Sequence, residues 1–181
     1  SAAEQEVETE VEGRSELDTM PAPVAAELSK ALDAYFLMQN ALADDTTKNL
    51  ADAARSFAEA IEATRKVDLP GSPHFWHELA EPLEIMTKES ATLGAADDVA
   101  AARLALGNLS FVFRKLLLAT GVPPSYPDRV LALRCPMFLE DQGGALWLQV
   151  AGDSRNPYMG SVMLGCFDQH KTMPVTGGAE E

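Results

Sequence analysis

The sequence predicts a mainly α-helical domain, an up-down-up-down four-helix bundle with a C-terminal β-hairpin and a short helical turn packed on it. Residues 21–122 predict the bundle, because apolar residues recur there at steps of three and four in four successive segments. The breaks between these segments are short, which makes sequential helices antiparallel neighbours. Residues 123–173 then change to β-prone runs that contain both cysteines, and we expect this segment to pack on the bundle.

The first helical hairpin is predicted over residues 21–43 and 50–64. Asp44 and Asp45 end its first helix and begin a polar break whose side chains suit the N-cap of the second. The run Asp-Leu-Pro-Gly-Ser-Pro at residues 68–73 ends the second helix, because neither proline nor glycine continues a helix readily.

The second hairpin is predicted over residues 74–93 and 99–116, with Asp97 or Asp98 as the N-cap of its second helix. Pro82 lies inside the first of these two segments. Because proline has no amide hydrogen to donate, we expect it to kink this helix or to shift its start.

The C-terminal segment is predicted to form two strands, at residues 130–134 and 145–150. The polar, glycine-containing run at residues 140–144 between them indicates a hairpin with a loop of several residues. Asn156 and Pro157 then form an N-cap and a first helical residue, which predicts a short helical turn.

The charge and hydropathy of the chain limit the classes of partner that we expect it to bind. It carries 28 acidic and 14 basic residues, a formal net charge of −14, which repels nucleic acid and anionic lipid. It has no run of about 18 apolar residues, so we expect no direct membrane insertion by this segment. Residues 1–20 are predicted to form a disordered acidic tail or linker, and residues 174–181 a second disordered tail.

An enzyme is not predicted. The sequence contains no Ser-His-Asp order, phosphate-binding glycine loop or zinc-protease motif. The two Asp-Asp pairs, at residues 44–45 and 97–98, fit helix capping better than acid/base chemistry.

The residues with the most distinctive chemistry are the two cysteines and the methionines beside them. Cys135 and Met137 are two residues apart, so in an extended segment they point the same way. Met159, Met163 and Cys166 would share one face of the predicted helical turn, and a hairpin-like return of the chain would bring this face together with Cys135 and Met137. Thiolate and thioether ligands favour Cu(I) or Ag(I), whereas structural zinc favours four Cys or His ligands.

The spacing leaves two other interpretations open. Methionine is a common gap-filler in cores, so Met137 and Met163 also fit a packing role. Two cysteines outside the cytosol often form a disulfide, and one between Cys135 and Cys166 would close the C-terminal segment. The alternative function is therefore a non-metal protein-interaction or structural domain with that disulfide.

A longer pattern resembles a known family. The chain combines Cys-Pro-Met at 135–137, Gly-Ala-Leu-Trp-Leu at 144–148, Arg-Asn-Pro-Tyr-Met-Gly at 155–160 and Met-Leu-Gly-Cys at 163–166. These runs resemble an uncharacterised bacterial periplasmic domain. That domain is found at the C-terminus of copper/silver-efflux membrane fusion proteins, the periplasmic adaptors of the CusB type, and in stand-alone periplasmic proteins. The resemblance extends over about residues 24–168.

The resemblance implies a periplasmic module that binds or handles Cu(I) or Ag(I). Its metal ligands would be Cys135, Met137, Met163 and Cys166, and the match at His74 adds that histidine to the set. The implied partners are efflux adaptor or pump components, or a metallochaperone. Arg134 and Phe167 depart from the family pattern, where an aromatic residue and a glycine are usual; neither change removes a sulfur.

Four further residues have side chains that can bind a soft metal. Met159 follows from its place on the predicted helical face. His77 fits a cap or surface position better than a ligand. His170 and Met173 lie just beyond the motif and are accessory candidates only.

Overall fold

The computed structural model describes residues 10–178 and contains five helices and three strands within that range. The helices are α1 (Ala22–Ala43), α2 (Leu50–Arg65), α3 (Phe75–Glu78), α4 (Ala80–Gly94) and α5 (Val99–Thr120). The strands are β1 (Val130–Cys135), β2 (Ala145–Val150) and β3 (Gln169–Thr172). The predictions of a mainly helical chain and of an antiparallel hairpin are confirmed. Between residues 10 and 178 no helix combines the length and the apolar character needed to cross a membrane.

The third predicted helix is divided in two. A single helix was expected over residues 74–93, but α3 ends at Glu78 and α4 begins at Ala80. Pro82 lies in the first turn of α4, where the missing amide hydrogen costs no intrahelical bond. The expected effect of this proline, a shift in the helix start, is therefore confirmed.

The helices enclose a core built on their apolar faces. Along the chain α1 packs against α2, α2 against α4 and α4 against α5. Aromatic rings join these layers: the ring of Phe113 lies 5.0 Å from that of Phe57 and 5.4 Å from that of Tyr35. All three side chains are fully buried, and burying a large apolar side chain contributes roughly 1.5–3 kcal/mol.

The sheet has the order β2-β1-β3, and both pairings are antiparallel. It packs on α1 and α5 through β2, whose Trp147 is fully buried. The hydroxyl of Tyr35 links these layers, because it accepts the amide hydrogen of Leu148 at 3.0 Å and is hydrogen-bonded to Ser110 Oγ at 2.6 Å. Burial raises the pKa of this phenol to about 12.

Both predicted tails differ from the structure wherever it describes them. In the first tail, Leu17 is buried, and the amide of Glu12 donates to the carbonyl of Thr172 at 2.8 Å. In the second, Val175 pairs with Val122 and Thr176 is buried. The prediction of disorder is wrong for these parts; residues 1–9 and 179–181 lie outside the described range.

The predicted capping role of the first Asp pair is also wrong. Neither aspartate caps α2, whose N-cap position is Asn49. The Asp44 carboxylate instead accepts from Arg155 at 2.6 Å, and the Asp45 carboxylate accepts from Arg103 at 2.8 Å. At the second pair the capping prediction is confirmed, because Asp98 accepts the amide hydrogen of Ala101 at 2.8 Å.

The loop after β2 is therefore docked on the helices by charged groups. The Asp45 carboxylate also accepts hydrogen bonds from the amide and hydroxyl of Ser161. The Ser161 hydroxyl and then the Arg103 guanidinium lower the pKa of Asp45 to about 2. Gly160 lies against this contact with a φ of +59°, and a Cβ there would lie 1.9 Å from Asp45 Oδ1.

We expect Gly160→Ala to destabilise the fold, since it adds both backbone strain and a collision with Asp45. The strain alone should lower the free energy of unfolding by roughly 1–3 kcal/mol. Gly165→Ala is the matched control, because no atom lies within 4 Å of a Cβ built there. Urea unfolding followed by circular dichroism measures both variants. Equal losses in the two would contradict this account of the loop.

Candidate metal centre

The two cysteines lie side by side at one end of the sheet. Cys135 is the last residue of β1, and Cys166 precedes β3, which returns antiparallel to β1. This return brings the two Sγ atoms to 3.9 Å, and both thiols are free. Cys135 is fully buried, whereas Cys166 is partly exposed. The predicted meeting of the two sulfur-bearing runs is thus present for the cysteines.

Asn156 holds the chain that carries Cys166. Its side-chain Nδ2 donates to the carbonyl of Cys166 at 2.7 Å, and its backbone amide donates to the carbonyl of Leu164 at 3.0 Å. Its Oδ1 accepts the amide hydrogens of Tyr158 and Met159, which is the predicted N-cap interaction. A fully buried asparagine therefore connects the Asn-Pro-Tyr turn to the second cysteine.

An ion pair holds the other side of the pair of thiols. The Arg134 guanidinium donates to both carboxylate oxygens of Asp168, at 3.0 and 2.6 Å. The amide of Asp168 donates in turn to the carbonyl of Arg134 at 3.1 Å. Arg134 adjoins Cys135 and Asp168 follows Cys166 by two residues, so this contact ties together the segments that carry the two sulfurs.

The backbone of Cys135 is covered closely. Gly144, at a φ of +88°, passes so near that a Cβ there would lie 2.5 Å from the Cys135 carbonyl oxygen. Nearby, the rings of Phe138 and Tyr158 stack at 4.7 Å, and the Tyr158 hydroxyl donates to the carbonyl of Leu146. The hairpin loop and the Asn-Pro-Tyr turn therefore shield Cys135 from water.

The predicted shared face of Met159, Met163 and Cys166 is wrong. The helical turn there is only a 3-10 turn, Gly160–Val162, and Met163 has left the helical conformation, with a φ of −159°. Met159 packs against the core. Met163 remains close to the second cysteine in the chain fold, because its carbonyl accepts the amide hydrogen of Cys166 at 3.1 Å.

The two methionines that the resemblance implies as ligands are both exposed. The exposed fraction is 54% for Met137 and 41% for Met163. Such exposure is unusual for packing residues, so the gap-filling role is not what these two side chains perform. In sequence, Met137 follows Cys135 by two residues and Met163 precedes Cys166 by three.

The histidines and Met173 are placed elsewhere. His74 is exposed at the N-cap of α3, and His77 is exposed on α3 itself. His170 lies on β3 opposite Leu133, with its ring 5.5 Å from that of Phe167. Met173 is buried in the core.

The separation of the two sulfurs matches the spacing of two ligands on one metal ion. Two metal–sulfur bonds of about 2.3 Å that meet at 120° separate the sulfurs by about 4.0 Å, close to the observed 3.9 Å. A disulfide requires about 2.05 Å. Within residues 10–178, His, Cys, Asp and Glu side chains form no group of three that could hold an ion. Thiolates are soft ligands, and structural zinc prefers four Cys or His ligands.

The charge state of the second thiol reflects its surroundings. Burial first, and then the neighbouring Cys135, raise the pKa of the Cys166 thiol. Asp168 adds to this shift through its negative charge. The free protein therefore holds Cys166 as a neutral thiol at neutral pH, and a metal must displace its proton.

Comparison with known proteins gives no relative. No protein-family model, curated protein or solved structure matches the chain. The resemblance to the C-terminal domain of copper/silver-efflux adaptors accordingly stays a prediction. Of the residues that support the site, sequence reasoning identified only Asn156. It missed Arg103, Asp45 and Asp168, because nothing in the sequence around them indicates that role.

We expect alkylation of Cys166 by iodoacetamide to require a higher pH than alkylation of an ordinary thiol. In Cys135→Ala the pH midpoint should fall, because the neighbouring thiol no longer disfavours the thiolate. Peptide mass spectrometry assigns the alkylated residue, and Cys166→Ala reports Cys135 separately. Identical midpoints for Cys166 with and without Cys135 would contradict this coupling.

Proposed function

We propose that this chain is a periplasmic module that binds or handles Cu(I) or Ag(I), associated with a heavy-metal efflux adaptor. The observation that carries the proposal is the pair of free thiols 3.9 Å apart, one buried and one at the surface. Soft thiolates select monovalent copper or silver over the hard ions that prefer oxygen ligands. The chain is proposed to bind and transfer the ion and not to catalyse a reaction.

The proposed ligands have different roles. Cys135 is the fixed ligand, because it ends a central strand and is fully buried. Cys166 is the accessible ligand through which the ion enters. Met137 and Met163 are exposed thioethers within three residues of a cysteine in sequence, and either would supply a third, exchangeable sulfur. An exchangeable outer ligand suits transfer to an efflux adaptor, a pump component or a metallochaperone.

The helices are proposed to form an up-down-up-down bundle that serves as the base of this site. The pairwise packing of α1 on α2, α2 on α4 and α4 on α5 supports that arrangement. A three-stranded sheet with one short strand needs such a base, since small isolated sheets are marginal in water. Tyr35 and Ser110 provide the direct polar link from the helices to β2.

The metal proposal predicts that the reduced protein competes with a chromophoric Cu(I) chelator in anaerobic titration. Cys135→Ser and Cys166→Ser should each weaken binding by more than about 100-fold, because changes beyond the ligands alone typically cost 10–100-fold. Met137→Ala and Met163→Ala should weaken it less. Equally weak binding by the wild type and both serine variants would overturn the proposal.

The histidine implied by the resemblance has a matched control three residues away. His74→Ala and His77→Ala remove exposed imidazoles from the same short helical segment. The proposed sulfur set predicts that neither change alters Cu(I) affinity. Weaker binding in His74→Ala alone would add His74 to the ligand set and identify it as a ligand that the resemblance anticipated.

A second candidate function is a protein-interaction or structural domain closed by a disulfide between Cys135 and Cys166. The 3.9 Å between the two Sγ atoms also favours this function, because the periplasm is oxidising and neighbouring thiols readily form disulfides there. Intact-mass measurement of the protein as purified from the periplasm distinguishes the two functions. The disulfide candidate predicts a gain of two hydrogens on reduction and no Cu(I) uptake afterwards; the metal proposal predicts uptake after reduction.

A further inference from the structure

A groove of about 890 Å³ lies between α4, α5 and the strands β1 and β3. Its charge is opposite to that of the whole chain. Five of the 14 basic residues line it, but only three of the 28 acidic ones. The five cations are Lys88, Arg114, Lys115, Arg134 and Lys171. In a chain of net charge −14, this concentration creates a local site for anionic groups.

Two of these cations have no ion-pair partner among residues 10–178. Arg114, Arg134 and Lys171 are paired with carboxylates of this chain. Lys88 and Lys115 are exposed and, within the described part of the chain, make no salt bridge. They are the charges that remain available to a ligand.

The groove also presents an exposed aromatic ring. The side chain of Phe111 is 52% exposed, and Lys115 Nζ lies 4.6 Å from the centre of its ring. The floor below is apolar and includes Leu133 and Leu139. A cation beside an exposed ring and an apolar floor suits a ligand that carries both apolar and acidic groups.

An acidic segment of this chain already occupies the rim. Glu12 lines the groove and pairs with Arg114, and Glu10 pairs with Lys171 at 3.5 Å. Between them Val11 forms a bridge to Thr172 at the outer edge of β3. A Glu-Val-Glu stretch in extended form is thus bound at this edge by backbone hydrogen bonds and by ion pairs on either side.

We propose that this groove binds a short polypeptide segment of a partner protein, in which acidic residues flank large apolar ones. The contacts of Glu10, Val11 and Glu12 at the rim show how an acidic and apolar segment binds there. Lys88 and Lys115 would pair with the acidic residues of the partner segment, and Phe111 would contact its apolar residues. A long polyanion is disfavoured, because the acidic surface around the groove repels it. The inference is independent of the proposed metal function, as neither cysteine lines the groove.

The test is fluorescence-anisotropy titration of the full chain with a labelled synthetic peptide in which Glu alternates with Val, Leu and Phe. Two control peptides are compared with it: in one every Glu is replaced by Lys, and in the other every apolar residue is replaced by Ser. We expect saturable binding of the first peptide, weakened by added salt, and at least tenfold weaker binding of both control peptides. The double variant Cys135→Ser, Cys166→Ser should bind equally well, which separates this result from the fate of the metal proposal.

Variants of the groove have matched controls outside it, one on α1 and one in the turn before α2. Lys115→Glu and Phe111→Ser should each weaken binding at least tenfold. Lys48→Glu and Leu37→Ser alter residues that are also exposed but lie outside the groove, and should change affinity less than twofold. Unfolding midpoints confirm that all four variants fold.

Three results would overturn the proposal. One is the absence of saturable binding, and another is an equal loss in the groove and control variants. The third is binding of phosphatidylglycerol vesicles that is abolished by Lys115→Glu while the peptide stays unbound, which would assign the groove to a lipid surface.

Discussion

One guanidinium positions the loop on which the thiol pair depends. Arg103 projects from α5 and is only 16% exposed; its Nε donates to the carbonyl of Pro157 at 2.7 Å. Its NH2 group donates to the carbonyl of Leu42 at 2.9 Å and to the Asp45 carboxylate. The residue before Pro157 is Asn156, whose side chain holds the backbone of Cys166. The 3.9 Å between the sulfurs therefore depends on a contact made among the helices.

The two thiols differ because they are held differently. Cys135 belongs to a strand paired on both sides, so its sulfur has a fixed place and no access to water. Cys166 lies in an irregular segment, which is held by the side chains of Asn156 and Arg134 and by the turn hydrogen bond from its amide to the carbonyl of Met163. Its pKa is raised, so a metal bound under the proposed function would displace a proton there, and the affinity would fall as pH falls. A rigid and an adaptable sulfur together suit capture followed by release.

Sequence reasoning succeeded where structure is local. Three of the four predicted helices, the effect of Pro82 and the β1–β2 hairpin follow from periodicity, proline chemistry and turn composition. It failed where partners are distant in sequence. Asp45 resembles a helix cap, yet it contacts Ser161, 116 residues away. The strand β3 is short and polar, with the sequence Gln-His-Lys-Thr, so nothing in its own residues predicts that it pairs with β1. The approach of the two cysteines was predicted from a hairpin-like return of the chain. The ion pair of Arg134 and Asp168 that supports this approach was not predicted.

Arg134 connects the thiol pair to the groove. It lines the groove, adjoins Cys135, and is paired with Asp168 beside Cys166. Asp168 accepts from this guanidinium with both carboxylate oxygens, so Arg134 is already paired, and the unpaired cations of the groove among residues 10–178 are Lys88 and Lys115. The thiol pair and the groove therefore share one structural support, the Arg134–Asp168 pair, but they share no proposed binding residue.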